Sequence, residues 1–293
     1  MVTQERLTVV SLWKVTLLLV SQVVSPMVIG HDDDRTRVRI IETPRSGDVA
    51  EGWDINNRGV VVGIFRDSTR GDRGFVHSDR LFVPIDHPDG PITVTWGIND
   101  QGVVVGNAAT SGFIYADGRF ESVHVPGSSA TEPHGINDKG DIVGLFSNPT
   151  FHGFLLKDGK YTTIDVPNSS GTEAWDINDR GDIVGEYSDP LPSVVAHGFL
   201  LRNGRTVTLD VPGSTRTRAF DINNWGQIVG LFDDAAGHEH GFLYWRGKFR
   251  TVDVPDSVTT NIFGINDWGE ITGVYVDAEG GAHGFVANVH TLK

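Results

Sequence analysis

Short runs of alternating apolar and polar residues recur along this chain, separated by turns rich in Asn, Asp and Gly. Residues 172–212 show the unit most clearly. TEAWDIN (172–178) leads through Asp179-Arg180-Gly181 into DIVGEY (182–187); HGFLL (197–201) leads through Arg202-Asn203-Gly204 into RTVTLDVP (205–212). A two-residue period places successive side chains on opposite faces of a strand. Asn-Asp-x-Gly and Asn-Gly close hairpins, because Gly takes the positive φ such turns require. Each unit therefore predicts four short antiparallel strands.

The motif aromatic-(Asp/Gly)-Ile-Asn recurs six times, beginning at Trp53, Trp96, His134, Trp175, Phe220 and Phe263. From one Asp/Gly position to the next, the steps are 43, 38, 41, 45 and 43 residues. A period of about 40 residues read as strands predicts a repeat array, and a β-propeller above all. The ends set the phase. Residues 38–44 (VRIIETP) match the fourth-strand pattern of 163–167 (TIDVP), whereas the last unit reaches 283–287 (HGFVA) with no such strand. The leading strand can fill that gap and leave only short, protected edges. The expected fold is all-β: a six-bladed propeller over 38–293, four antiparallel strands per blade, closed by the N-terminal strand.

The repeat resembles that of extracellular proteins with HAF repeats, whose consensus runs roughly Gly-Ile-Asn-Asn-x-Gly-x-Val-Val-Gly and then His-Ala-Phe-Leu. Residues 135–144 (GINDKGDIVG) and 152–156 (HGFLL) match it, with Gly in place of Ala in the second motif of every unit. The resemblance covers about residues 38–287. It implies a secreted or cell-surface propeller and carries over no catalytic residues.

The N-terminus agrees with export. Arg6 and Lys14 precede the apolar run 15–24 (VTLLLVSQVV), and small residues follow to Gly30. That is the layout of a signal peptide over 1–30, followed by a short charged lead-in over 31–37. The run is shorter than the roughly 20 residues that span a bilayer, so no stable membrane insertion is expected after processing. The expected location is secreted, periplasmic or cell-surface. The formal charge of −14 argues against a general nucleic-acid binder, which needs a basic face. The absence of Cys removes thiol chemistry and Cys-based metal sites. Nucleotide-binding glycine loops and serine nucleophile elbows are also missing from the sequence.

Two surfaces carry candidate chemistry. Turns joining strands one to two and three to four are short and nearly invariant. Those joining two to three vary: 65–74, 107–112, 146–153, 187–198, 232–241 and 275–284. Variable loops on a rigid scaffold are where binding usually sits. On that side, Glu51, Glu132, Glu173 and Arg218 occupy the position two before the motif aromatic, and Asp54, Asp176 and Asp221 follow the aromatic. Six carboxylates and one Arg are thus expected around one axial funnel. Their oxygens could hold Ca²⁺, Asp54, Asp176 and Asp221 being weak metal candidates. Glu132, His134, Glu173, Asp176 and Asp221 could instead serve acid/base chemistry. The plainer alternative is that Asp and Gly alternate because inner strands are crowded, with each Asp hydrogen-bonding the backbone of a neighbouring blade. The six repeated Asn, from Asn56 to Asn266, are expected to cap turns. His152, His197, His240 and His283 are expected in inter-blade hydrogen bonds, and Trp53, Trp96 and Trp175 buried between blades. A divalent metal at 233–240 (DDAAGHEH) is a weaker alternative to a solvated acidic loop.

The short-turn face is less expected. Where other repeats place Arg, Gln or Lys before the turn Gly, blades five and six place Trp225 and Trp268; the matching three-to-four turn of blade five carries Trp245. An exposed aromatic cluster suits a partner: sugar rings stack on it, and proteins bury it. Ligand-binding candidates are therefore Glu51, Glu132, His134, Glu173, Arg218, Trp225, Trp245 and Trp268. The reading favoured by the sequence is an exported non-enzymatic module that binds glycan or protein. The alternatives are a polysaccharide- or lactone-acting hydrolase or lyase, and a structural envelope protein.

Overall fold

The computed structural model describes residues 38–292 except 45–47, 68–69, 79–80, 91 and 194. The expected signal peptide and lead-in lie outside the described residues. The six sheets follow the repeat. Blade one is β2 (Ala50–Ile55), β3 (Val61–Asp67), β4 (Gly71–Ser78) and β5 (Leu81–Ile85); blade two is β6 (Val94–Ile98), β7 (Val104–Ala108), β8 (Ser111–Ala116) and β9 (Arg119–Val123). Blade three is β10 (Ala130–Ile136), β11 (Ile142–Ser147), β12 (Phe151–Lys157) and β13 (Lys160–Ile164); blade four is β14 (Gly171–Ile177), β15 (Ile183–Ser188), β16 (Ala196–Arg202) and β17 (Arg205–Leu209). Blade five is β18 (Arg216–Ile222), β19 (Ile228–Asp233), β20 (Glu239–Trp245) and β21 (Lys248–Thr251). Blade six takes β22 (Thr259–Ile265), β23 (Glu270–Val276) and β24 (Ala282–Asn288), and its fourth strand is β1 (Arg39–Ile40) from the other end of the chain. The fold is a six-bladed β-propeller.

Closure is local and specific. Arg39 pairs with Val286 and Ile40 with Phe285, and the Ile41 N–H donates to the Gly284 carbonyl at 2.9 Å. Ile41 is buried in a cluster with Phe75 of blade one and Val286 of blade six, which fastens the closing strand to the next blade as well as to its own.

The repeated motif owes its form to one backbone device. Each first strand shifts register at the aromatic residue, as between Gly52 and Asp54 or between Ala174 and Asp176. The extra residue of a bulge is unpaired and bends the strand. The Gly opposite has no room for a side chain. A Cβ on Gly185 would lie 2.0 Å from the Glu173 carbonyl oxygen and 2.7 Å from the Phe199 ring. Phe199 and its counterparts Phe75, Phe113, Phe154, Phe242 and Phe285 are fully buried, forming the centre of each blade's packing.

The six motif Asn do more than cap turns. Asn178 accepts from the N–H groups of Arg180 and Asp182, as expected, while its amide donates to the Asn223 carbonyl in the next blade at 3.2 Å. The same donation links Asn56 to Asn99, Asn99 to Asn137, Asn137 to Asn178, Asn223 to Asn266 and Asn266 to Asn56. A second ring lies beside it: the side-chain oxygens of Asp100, Asp138, Asp179, Asn224, Asp267 and Asn57 each accept the N–H of the equivalent residue in the preceding blade.

Truncating Ile41 leaves a cavity where the ring closes. Ile41→Ala should lower unfolding stability in urea by about 2–5 kcal/mol. Deleting residues 38–43 should expose the β24 edge and produce self-association on size-exclusion chromatography.

Candidate functional site

The bulges turn the six motif aromatics onto the axis. Trp53, Trp96, His134, Trp175, Phe220 and Phe263 form a ring whose neighbouring centroids are 4.1–5.5 Å apart. Trp53 and Trp175 also stack across it at 5.8 Å. This corrects the expectation that Trp53, Trp96 and Trp175 lie between blades: they plug the channel. It also divides the expected single funnel. Glu51, Glu132, Glu173 and Arg218 precede the plug, toward the variable loops. Asp54, Asp176 and Asp221 follow it, beside a small chamber that opens toward the conserved turns.

Below the plug the carboxylates are tied to backbone. Asp54 accepts from Ile98 N at 2.7 Å, Asp176 from Ile222 N at 3.2 Å and Asp221 from Ile265 N at 2.5 Å, each in the following blade. Burial, with mutual repulsion between the aspartates, pushes Asp54 up to about 7 and raises Asp221 well above the usual range; burial raises Asp176. The Gly alternates are steric. A Cβ on Gly135 would lie 2.5 Å from an Asp176 oxygen, and one on Gly97 would lie 2.3 Å from the His134 carbonyl. Among the described residues, no group of three or more His, Asp or Glu is placed to hold a metal ion.

Above the plug, Arg218 forms a bidentate pair with buried Glu186. Burial and then the Glu186 charge push Glu173 up to about 7. Burial also raises Glu51 and Glu132. His134, an acid/base candidate beside Glu132, is instead a buried member of the plug. Its ring stacks on Trp175 at 4.1 Å, its Nδ1 lies 3.2 Å from the Ala174 carbonyl, and burial lowers it to about 3, so it is neutral at physiological pH. The strand-three His also differ from expectation, pairing within their own blades: His152 with Asp165, His197 with Asp210, His240 with Asp253 and His283 with Asp277. In the 233–240 loop, Asp234 accepts from the N–H groups of Ala236 and His238 and so shapes the turn.

The conserved-turn face presents the tryptophans. Trp225 and Trp268 are 68% and 69% exposed and Trp245 is 39% exposed. The rings of Trp225 and Trp268 are anchored. The Trp225 Nε1–H donates to the Asp267 carbonyl at 3.1 Å and the Trp268 Nε1–H to the Asn57 carbonyl at 3.0 Å, each crossing to the next blade. Trp225 and Trp245 line one groove of about 680 Å³ with Arg180, Arg202 and Arg246; Trp268 stands one blade along, outside that lining. The arginines were not singled out in the sequence. Arg180 and Arg202 leave blade four, share Asp182 at 3.4 and 2.8 Å, and reach over Gly226 beside Trp225. Arg246 lies over the Trp245 ring with its guanidinium carbon 4.4 Å from the centroid. One signal was available: Arg246 has φ 50° at a turn position held in sister blades by Asp117, Asp158 and Asn203, residue types that tolerate that conformation.

No family model matches the sequence, and no characterised protein matches it in sequence. Solved structures share the architecture. TolB from Acinetobacter baumannii aligns with TM-score 0.54 and 10% identity over 78% of this chain and 63% of its own, so the chain spans less than two-thirds of that protein. AofleA from Arthrobotrys oligospora gives 0.53 at 10% identity over 86% of each chain. The lectin SapL1, solved with alpha methyl fucoside, gives 0.50 at 12% identity over 78% and 88%. At these identities the likeness is one of fold.

His134 provides a pH test of the plug. Its imidazole binds a proton near 6.5 when unfolded and near 3 when folded. As pH falls below 6.5 the unfolded chain therefore takes up a proton that the native state refuses, and stability falls. His134→Phe, which copies Phe220 and Phe263, should remove this loss. Its stability relative to the parent should rise by about 2 kcal/mol between pH 7.5 and pH 5, read from urea midpoints.

Proposed function

We propose that this chain is an exported, non-enzymatic propeller that binds a glycan through its conserved-turn face. The observation that carries this reading is the set of exposed indoles at Trp225, Trp245 and Trp268, two of them locked to a neighbouring blade. A ring held by its own N–H loses little freedom on binding, and its open face suits the C–H face of a pyranose. The exposed turn residue Asn203 beside it supplies a hydrogen-bonding side chain. The lectin SapL1 holds a methyl fucoside on a propeller scaffold; that likeness reaches the fold, and the glycan reading rests on the tryptophans. Export is supported by the signal-like N-terminus and by the resemblance of the repeat to extracellular HAF-repeat proteins.

One observation favours a hydrolase or lyase instead: Glu173, with its carboxyl near 7, stands above the plug. The partners suggested for it are engaged elsewhere. His134 is neutral within the plug, and Asp176 and Asp221 bind backbone on its far side. The binding reading is therefore preferred.

Tryptophan emission titrated with a panel of neutral and acidic oligosaccharides tests the proposal. A saturable shift or quench is expected for at least one class. Trp225→Ala should weaken that binding by about tenfold, or about 1.4 kcal/mol. No response to any oligosaccharide, together with self-association lost in Trp225→Ala, would assign the patch to protein contact.

A further inference from the structure

The groove between blades four and five carries more than aromatic surface. The chain is strongly acidic overall, with a formal charge of −14, yet three arginines meet at this place. Arg180 and Arg202 both pair with Asp182, which neutralises one of their two charges. Their Nη2 atoms lie 3.0 and 3.3 Å from the point where a Cβ on Gly226 would sit, so both guanidiniums reach the residue next to Trp225. Arg246 makes no ion pair among the described residues and sits over the Trp245 ring, its guanidinium carbon 4.4 Å from the centroid. Each aromatic ring thus has a cationic fork beside it.

The repeat itself marks the groove as specialised. Blade five differs from blades two to four at Trp225, Trp245 and Arg246, all on one face, and shares only the first of these changes with blade six, which carries Trp268. Arg246 holds a left-handed backbone at φ 50°, a conformation unfavourable for a long side chain and costly unless its surroundings sustain it. Strain retained at a ligand-facing position is a feature of binding sites. Asp267 also lines the groove, and its carboxylate is taken up by the Asn224 N–H and the Asn224 and Asn57 amides; acids farther off are screened beyond about 8 Å at physiological ionic strength.

We propose, on the basis of the glycan reading above, that this groove binds an acidic saccharide, specifically a carboxylate-bearing uronic-acid unit. The sugar ring lies against Trp225, and its carboxylate takes the guanidinium N–H groups of Arg180 and Arg202. Arg246 and Trp245 repeat the pairing for a second unit. Guanidinium and carboxylate match as planar, bidentate partners, and pyranose and indole match as flat apolar faces.

The test uses calorimetry and tryptophan emission with hexameric oligogalacturonate, its carboxyl-reduced neutral counterpart, inorganic sulfate and an oligo-dT strand, each at low and high NaCl. The acidic hexamer is expected to bind at least tenfold more tightly than the neutral one at low salt, with the gap shrinking at high salt. Arg202→Gln and Arg246→Asn should each erode that preference while leaving neutral-sugar binding in place, whereas Trp225→Ala should weaken both. Arg246→Asn installs the residue type of the sister turns, so its thermal midpoint should match or exceed the parent's. Lost acid preference in that variant therefore cannot come from misfolding. Equal binding of the two hexamers overturns the acidic class and leaves the glycan reading standing. Binding of neither hexamer overturns both. Sulfate binding as tightly as the acidic hexamer reduces the groove to a simple anion site, and tighter binding of oligo-dT replaces the saccharide with a single-stranded nucleic acid.

Discussion

The structure depends on two rings of hydrogen bonds that run from blade to blade around the axis. In one ring each motif Asn amide donates to the carbonyl of the next Asn, and the circuit closes from Asn266 to Asn56. Beside it, backbone N–H groups donate to Asp and Asn oxygens until Asp267 N meets Asn57. Buried amides left unpaired are costly. Every blade therefore needs both of its neighbours, and a ring missing one member leaves unsatisfied groups on each side of the gap. This explains why a repeat with so variable a periphery keeps its Asn without exception. One residue type holds the turn of its own blade and the backbone of the next.

The aromatic plug follows from the same local geometry. The bulge that brings Asp54 and its counterparts to the neighbouring strand also throws the preceding ring inward, and six such rings fill the channel. The plug makes the two ends of the propeller chemically separate. Above it Glu173 answers to Glu186 and Arg218, and below it the aspartates answer to backbone N–H groups. The periphery of the conserved-turn face combines open indole surface with arginines, which is why the functional proposals converge there rather than on the axis.

Much of this architecture was legible in the sequence. Alternation and turn residues defined the strands, the spacing of the Asn motif counted the blades, and the unmatched 38–44 and 283–287 segments announced the closing strand. The exposed tryptophans could also be read, because Trp225 and Trp268 occupy a turn position that polar residues hold elsewhere. The plug could not. A strict two-residue period aims Trp53 between blades, and only the register shift after Gly52 redirects it. The His residues of the third strands misled for a related reason: position in a repeat does not reveal whether a partner such as Asp210 lies in the same blade or the next. The convergence of Arg180 and Arg202 over Gly226 was likewise hidden, since it depends on how far blade four's turns reach across to blade five.

The closing strand has a mechanical consequence. β1 and β24 run antiparallel, so the chain leading into Arg39 and the chain leaving Asn288 emerge at the same end of their shared ladder. Tension applied between those two points would peel the ladder open one bond at a time rather than shear all its bonds together. A ring fastened in this way is weakest, mechanically, against a force that draws its two ends apart, whatever its many interlocked blades contribute elsewhere.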